Sequence, residues 1–266
     1  MKNDLYWKTR GVRATEALLN KSIKQTELEL IKNYKRVRET ILAKIEKLYA
    51  IIQKEAEDGT PLLSHLYSYN RYYELFNEVE AELSALGETE NKILEKNLTN
   101  LYNLNSKEVG KQLGLQSQIN KDQVRRAVNS VWVDDNLTFS QRIWNSMTQL
   151  KTELENGLVN CASYGASHKE LTRTLMEKFD VSYHQAERLS RTELAHIQNE
   201  SRMDRYKEAG VSLVRILVEH DGRQCAECED LETTLYPVDQ APVLPLHPQC
   251  RCCYLAVIEN SQEAIQ

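Results

Sequence analysis

The residues with the most specific chemistry lie in two clusters near the end of the chain. Asp221-Gly222-Arg223-Gln224-Cys225-Ala226-Glu227-Cys228 contains a Cys-x2-Cys knuckle, and after a gap of 18 residues comes His247-Pro248-Gln249-Cys250-Arg251-Cys252-Cys253. A Cys-x2-Cys turn presents two thiolates from one tight bend, and a second pair at this separation can close a tetrahedron around Zn2+. The candidate ligands are Cys225, Cys228, His247, Cys250 and Cys252, one more than a closed structural site needs. Cys225, Cys228, His247 and Cys250 are the first choice, because His-x2-Cys mirrors the first knuckle, with Cys252 as substitute for the fourth position. Cys253 adjoins Cys252 and on a strand would face the other way. Four protein ligands leave no position for water, so the expected metal is a structural Zn2+ rather than a hydrolytic one.

The elements that must position these residues are mostly helical. The chain has 266 residues, only nine Gly and five Pro, 41% apolar and 27% charged residues, a composition that favours a folded protein of long helices. No apolar run approaches the roughly 20 residues of a membrane span, and Met1-Lys2-Asn3-Asp4 lacks a signal-peptide core. A cytoplasmic protein is expected, and in a reducing compartment clustered cysteines are metal ligands rather than disulfides. The net charge of −5 argues against a generally basic nucleic-acid binder, although residues 1–60 carry thirteen Lys/Arg against nine Asp/Glu.

In chain order, Ile23, Leu30, Tyr34, Val37, Ile41, Ile45, Leu48 and Ile52 make one stripe along a helix that Asp58-Gly59-Thr60-Pro61 stops. Leu66, Tyr69, Tyr73, Phe76, Val79, Leu83 and Leu86 make a second stripe, with Gly87 predicted to end it, so the pair reads as an antiparallel hairpin. A third helix through Ile93, Leu94, Leu98 and Leu101 is expected to break up around Leu104-Asn105-Ser106 and Gly110. Ile143, Met147, Leu150, Leu154, Leu158 and Cys161 share one helical face, which makes Cys161 a small core residue. Ser167 and Ser182 each read as the start of a further helix, the second ending at Gly210. Residues 211–218 alternate as a strand, and Cys253-Tyr254-Leu255-Ala256-Val257-Ile258 reads as its partner. The expected class is mainly α, with a long N-terminal helical hairpin, a helical central domain and a small C-terminal β-containing zinc unit. The corresponding boundaries are 1–119, 120–210, 211–259 and a flexible tail over 260–266.

Three ordered blocks resemble a known family. They are Trp132 through Trp144, with Phe139-Ser140-x-Arg142-Ile143-Trp144 at its core; Arg191-Thr192-Glu193 inside a helix; and Asp221-x3-Cys225-x2-Cys228 with Pro245-x-His247-Pro248-x-Cys250-Arg251-Cys252. Over residues 120–258 the chain is similar to the phage Mu F-like minor head proteins, also called phage head morphogenesis proteins. The resemblance implies a non-enzymatic, low-copy capsid component associated with the portal vertex. Its implied partners are the portal protein and other phage head or scaffold proteins, with packaged DNA nearby. The implied location is the host bacterial cytoplasm during assembly and then the inside of the virion head. Arg191, Glu193 and Arg251 are further expected to form a network, a helix carboxylate between basic groups, that docks the zinc unit to the helices.

Rival readings rest on less. A zinc deaminase needs His-x-Glu and a later Pro-Cys-x2-Cys. His168-Lys169-Glu170 supplies the first, but Gln224 stands where the proline belongs. A metalloprotease has no His-Glu-x2-His here. The remaining alternative is a zinc-dependent protein that binds or modifies nucleic acid. Residues 221–253 carry only Arg223 and Arg251 against six acidic residues, a poor phosphate track.

Overall fold

Leu30, Tyr34, Val37, Ile41, Ile45 and Leu48, six residues of the first stripe, are buried along one face of a single 44-residue helix, α1 (Val12–Glu55), where Ile23 is half-buried. The computed structural model describes residues 11–55, 71–116, 118–163, 168–218 and 226–257. It continues with α2 (Arg71–Gln112), α3 (Lys121–Val128), α4 (Phe139–Ser163), α5 (His168–Glu208), β1 (Leu213–Leu217), α6 (Ala226–Glu232), β2 (Leu235–Pro237) and β3 (Cys253–Val257). The mainly α class with a small β unit near the C-terminus is as expected from the sequence. The stop at residues 58–61 and the side chain of Cys161 lie outside what is described.

The chain divides into two compact units, each built from separate stretches of sequence. One comprises Glu27–Ile93 and Phe139–Glu187. It is a four-helix bundle whose neighbours all run antiparallel. Tyr34 donates to Glu90 at 2.9 Å and Lys44 meets Glu78 at 2.8 Å, pairing α1 with α2. Lys151 meets Glu80, Lys178 meets Glu153 and Arg38 meets Asp180, at 2.7, 2.6 and 3.0 Å, and these tie α2 to α4, α4 to α5 and α5 to α1.

Three predicted breaks do not occur. Gly87 lies inside α2, where a Cβ would stand 2.9 Å from Met147 Cγ and 3.0 Å from the Trp144 ring. Its role is to let α4 approach, and the roughly 1 kcal/mol that a helical glycine costs relative to alanine is offset by the buried residues on either side. Ser182 lies within α5, buried, with its hydroxyl 3.5 Å from that of Tyr34 instead of capping a helix. Asn105 and Ser106 are buried inside α2, and Asn105 donates to Gln198 O at 2.9 Å and Ser201 Oγ at 2.8 Å. A polar residue that finds a partner on a neighbouring helix does not end its own. Tyr73, placed on the core stripe by its spacing, is 59% exposed, and Leu75 and Phe76 take the inward positions.

The other unit comprises Met1–Thr26, Leu94–Thr138 and Arg188–Gln266. Its sheet has the order β2-β1-β3, with both pairings antiparallel and Leu217 opposite Cys253. The expected two strands are present. The third, three residues long, and the seven-residue α6 are too short for periodicity to detect. Val109, Met203, Tyr206, Val214, Ile216, Tyr254 and Ala256 belong to one buried apolar cluster, so the sheet shares its core with the ends of α2 and α5.

Candidate metal centre

Local turn chemistry places the second half of the cluster. His247-Pro248-Gln249-Cys250 is a tight turn closed by Cys250 N–H donating to His247 O at 3.1 Å. Pro248 takes the position that favours φ near −65°, and Gln249 takes the left-handed one with φ 63°. The turn brings His247 and Cys250 to the same side. Cys228, in the first turns of α6, comes to meet them.

The ligand atoms of Cys228, His247 and Cys250 all lie within 4.8 Å of one another. Cys228 Sγ is 3.8 Å from Cys250 Sγ and 3.3 Å from His247 Nε2. Two sulfurs bound tetrahedrally at about 2.3 Å stand about 3.8 Å apart, so the thiol pair already has the separation that Zn2+ requires. The other imidazole nitrogen, Nδ1, lies 3.0 Å from the carbonyl of Pro248. A carbonyl can only accept, so Nδ1 carries the proton and Nε2 turns its lone pair toward the thiols, as in metal-binding histidines oriented by a carbonyl.

Cys228, Cys250 and Cys252 are buried in the apolar cluster, and none of the four described cysteines is in a disulfide. The bond from the Cys252 thiol pulls the Cys250 thiol down to about 5, which leaves Cys250 a ready thiolate ligand. The same bond, with burial and the proximity of Cys228, pushes Cys252 strongly up. Cys252 is not one of the group formed by Cys228, His247 and Cys250. Cys225 lies outside the described residues. Two thiolates and one neutral imidazole suit Zn2+ among the divalent metals.

One face of α5 holds this unit in place. The Thr192 hydroxyl donates to Arg188 O and accepts from Gln249 N–H at 3.3 Å, fixing the turn. His196 Nδ1 donates to Leu244 O at 3.0 Å. Asn199 donates to Cys252 O at 3.1 Å and accepts from Tyr254 N–H at 3.3 Å. Arg202 donates to Tyr254 O at 2.9 Å and also to the Thr15 hydroxyl at the start of α1. Burial works against the charge of Arg202, but the adjoining Cys253 and Tyr206 more than offset it and raise its pKa. Helical steps of three and four residues thus satisfy the edge of β3, an edge that would otherwise invite foreign pairing. Asn199→Ala leaves two buried backbone groups without these partners, at about 1–3 kcal/mol each. The expected result is a lower melting temperature with α-helical content unchanged, read by circular dichroism.

Glu193 is 4% exposed, and its carboxylate accepts from the Trp132 indole N–H at 3.0 Å. Trp132 also stacks on His196, with ring centres 4.2 Å apart and planes 8° from parallel. Arg191 is half-buried and Arg251 exposed. Trp132, Thr192-Glu193 and the turn that carries His247 and Cys250 therefore adjoin one another along α5. His196, Asn199 and Arg202 escaped sequence reasoning; the signal available was a run of polar residues on the buried side of a helix.

Residues 148–255 match the model of the family described as Phage Mu protein F like protein. Curated proteins and solved structures give no match. Over that span, which includes Thr192, Glu193 and the Cys228, His247 and Cys250 group, the chain is similar to the phage Mu protein F-like family.

Proposed function

We propose that this protein is a minor structural component of a bacteriophage head, acting in head morphogenesis at the portal vertex, and that its C-terminal unit is closed by a structural Zn2+. The family match supports the first part. The geometry of Cys228, His247 and Cys250 supports the second, with the His247 tautomer set for metal and a thiol pair at tetrahedral separation. Cys225 or Cys252 supplies the fourth ligand. With four protein ligands the metal holds no water to activate, so it acts on the fold and performs no reaction. Arg191, Glu193 and Arg251 belong to the joint between this unit and α5. No helix among the described residues is long and apolar enough to cross a membrane.

The test is co-expression with the portal protein of the same phage, followed by native mass of the purified material. A portal complex that contains this chain is expected. Separate migration of the two proteins, with this chain also missing from assembled procapsids, would overturn the assignment to the head.

A further inference from the structure

A cleft of about 620 Å3 opens beside the end of α2, lined also by the loop after it and by α5. Lys107 and Lys111 stand one helical turn apart on its wall, both exposed, and neither has an ion-pair partner among the described residues. The side chain of Arg205, only 7% exposed, also lines the cleft and is paired with Glu208. Gly110 lies between the two lysines on the same wall. A Cβ there would meet Arg205 Nε at 3.7 Å and Leu115 Cβ at 3.8 Å, ordinary contact distances, so packing does not require glycine. A helix-interior glycine disfavours the helix by about 1 kcal/mol relative to alanine, and here its effect is to keep the approach to Arg205 open.

Three cationic groups around one hollow recognise an anion. The neighbourhood decides which kind. Glu108, held by Gln112 at 3.0 Å, and Glu208 stand among the basic residues, and Asp204, bonded by Tyr102, lies next to Arg205 on α5. These carboxylates would repel a continuous polyanion laid across the cleft, while a single carboxylate seated inside avoids them. The amides of Gln116 and Gln118, on the loop wall, each offer a donor and an acceptor, the complement of a peptide backbone. A guanidinium also matches a carboxylate in geometry. We propose that this cleft receives an acidic peptide segment of a partner protein, one carboxylate of which seats among Lys107, Lys111 and Arg205. None of these residues takes part in the metal centre, so the proposal stands or falls separately from it.

The probe is a fluorescein-labelled, C-terminally amidated peptide with one glutamate among glycines and serines, Gly-Ser-Gly-Glu-Gly-Ser, titrated with the full-length protein and followed by anisotropy, with a six-nucleotide oligothymidylate in parallel. Saturable binding of the single-glutamate peptide is expected. It should become roughly ten-fold weaker in the Lys107→Gln/Lys111→Gln variant, which loses two exposed ion pairs and keeps its fold. Gly110→Leu, which fills the cleft without changing charge, should weaken it similarly. Absence of peptide binding, unchanged affinity in the double lysine variant, or equal affinity for oligothymidylate would overturn the proposal; the last outcome would make the cleft a nucleic-acid site.

Discussion

Chelating the metal at neutral pH is expected to abolish amide-exchange protection in β1 and β3, while residues 27–93 and 139–187 keep theirs. Structural zinc in small modules contributes about 10–16 kcal/mol of apparent binding energy, and three strands of five, three and five residues have few pairings to set against its loss. The sheet also shares its apolar core with α2 and α5, so α5 should stay helical as the strands open. Cys228→Ser should reproduce the chelator effect without chelator, because it removes the member of the group that contacts both other ligands. Retention of full strand protection after metal removal would show that the apolar cluster alone holds the unit.

A second large effect comes from Glu90 in the four-helix bundle. Its side chain is 1% exposed, and burial raises its pKa to about 7, against a smaller opposite effect of the hydrogen bond from Tyr34. In the unfolded chain it titrates near 4.5. Because the folded value is the higher, the stability associated with the protonated form is fully present below about pH 4.5. It is lost as pH rises through 7. The difference between 4.5 and about 7 corresponds to about 3 kcal/mol. Glu90→Gln keeps an acceptor for Tyr34 and never ionises. It should therefore match the parent near pH 4 and exceed it by about 3 kcal/mol at pH 8, measured by urea unfolding at the two pH values. A variant no more stable than the parent at pH 8 would show that the carboxylate is compensated within the bundle.

The helical stripes were legible in the sequence because each long helix repeats its apolar residues at three and four over many turns, from Leu30 to Leu48 and from Ile143 to Leu158. The strands at 213–217 and 253–257 were legible from alternation and β-branching. The helix breaks at Gly87 and Ser182 were misread, because a glycine or serine that would end an isolated helix is tolerated where tertiary burial continues on both sides. Spacing alone brought Cys228, His247 and Cys250 together. It left open whether His247 or Cys252 supplies the fourth ligand, because both stand within a few residues of Cys250. The joint to α5 was hidden for a different reason. His196, Asn199 and Arg202 bond to backbone groups some fifty residues away, at Leu244, Cys252 and Tyr254, and no local pattern records such pairings.

The most direct test of a closed structural metal is X-ray absorption at the metal edge of the purified full-length protein. The predicted spectrum is that of Zn2+ with three sulfur neighbours at about 2.3 Å, one nitrogen at about 2.0 Å and no bound oxygen. A spectrum with a bound water oxygen, or protein purified with no zinc edge, would contradict it.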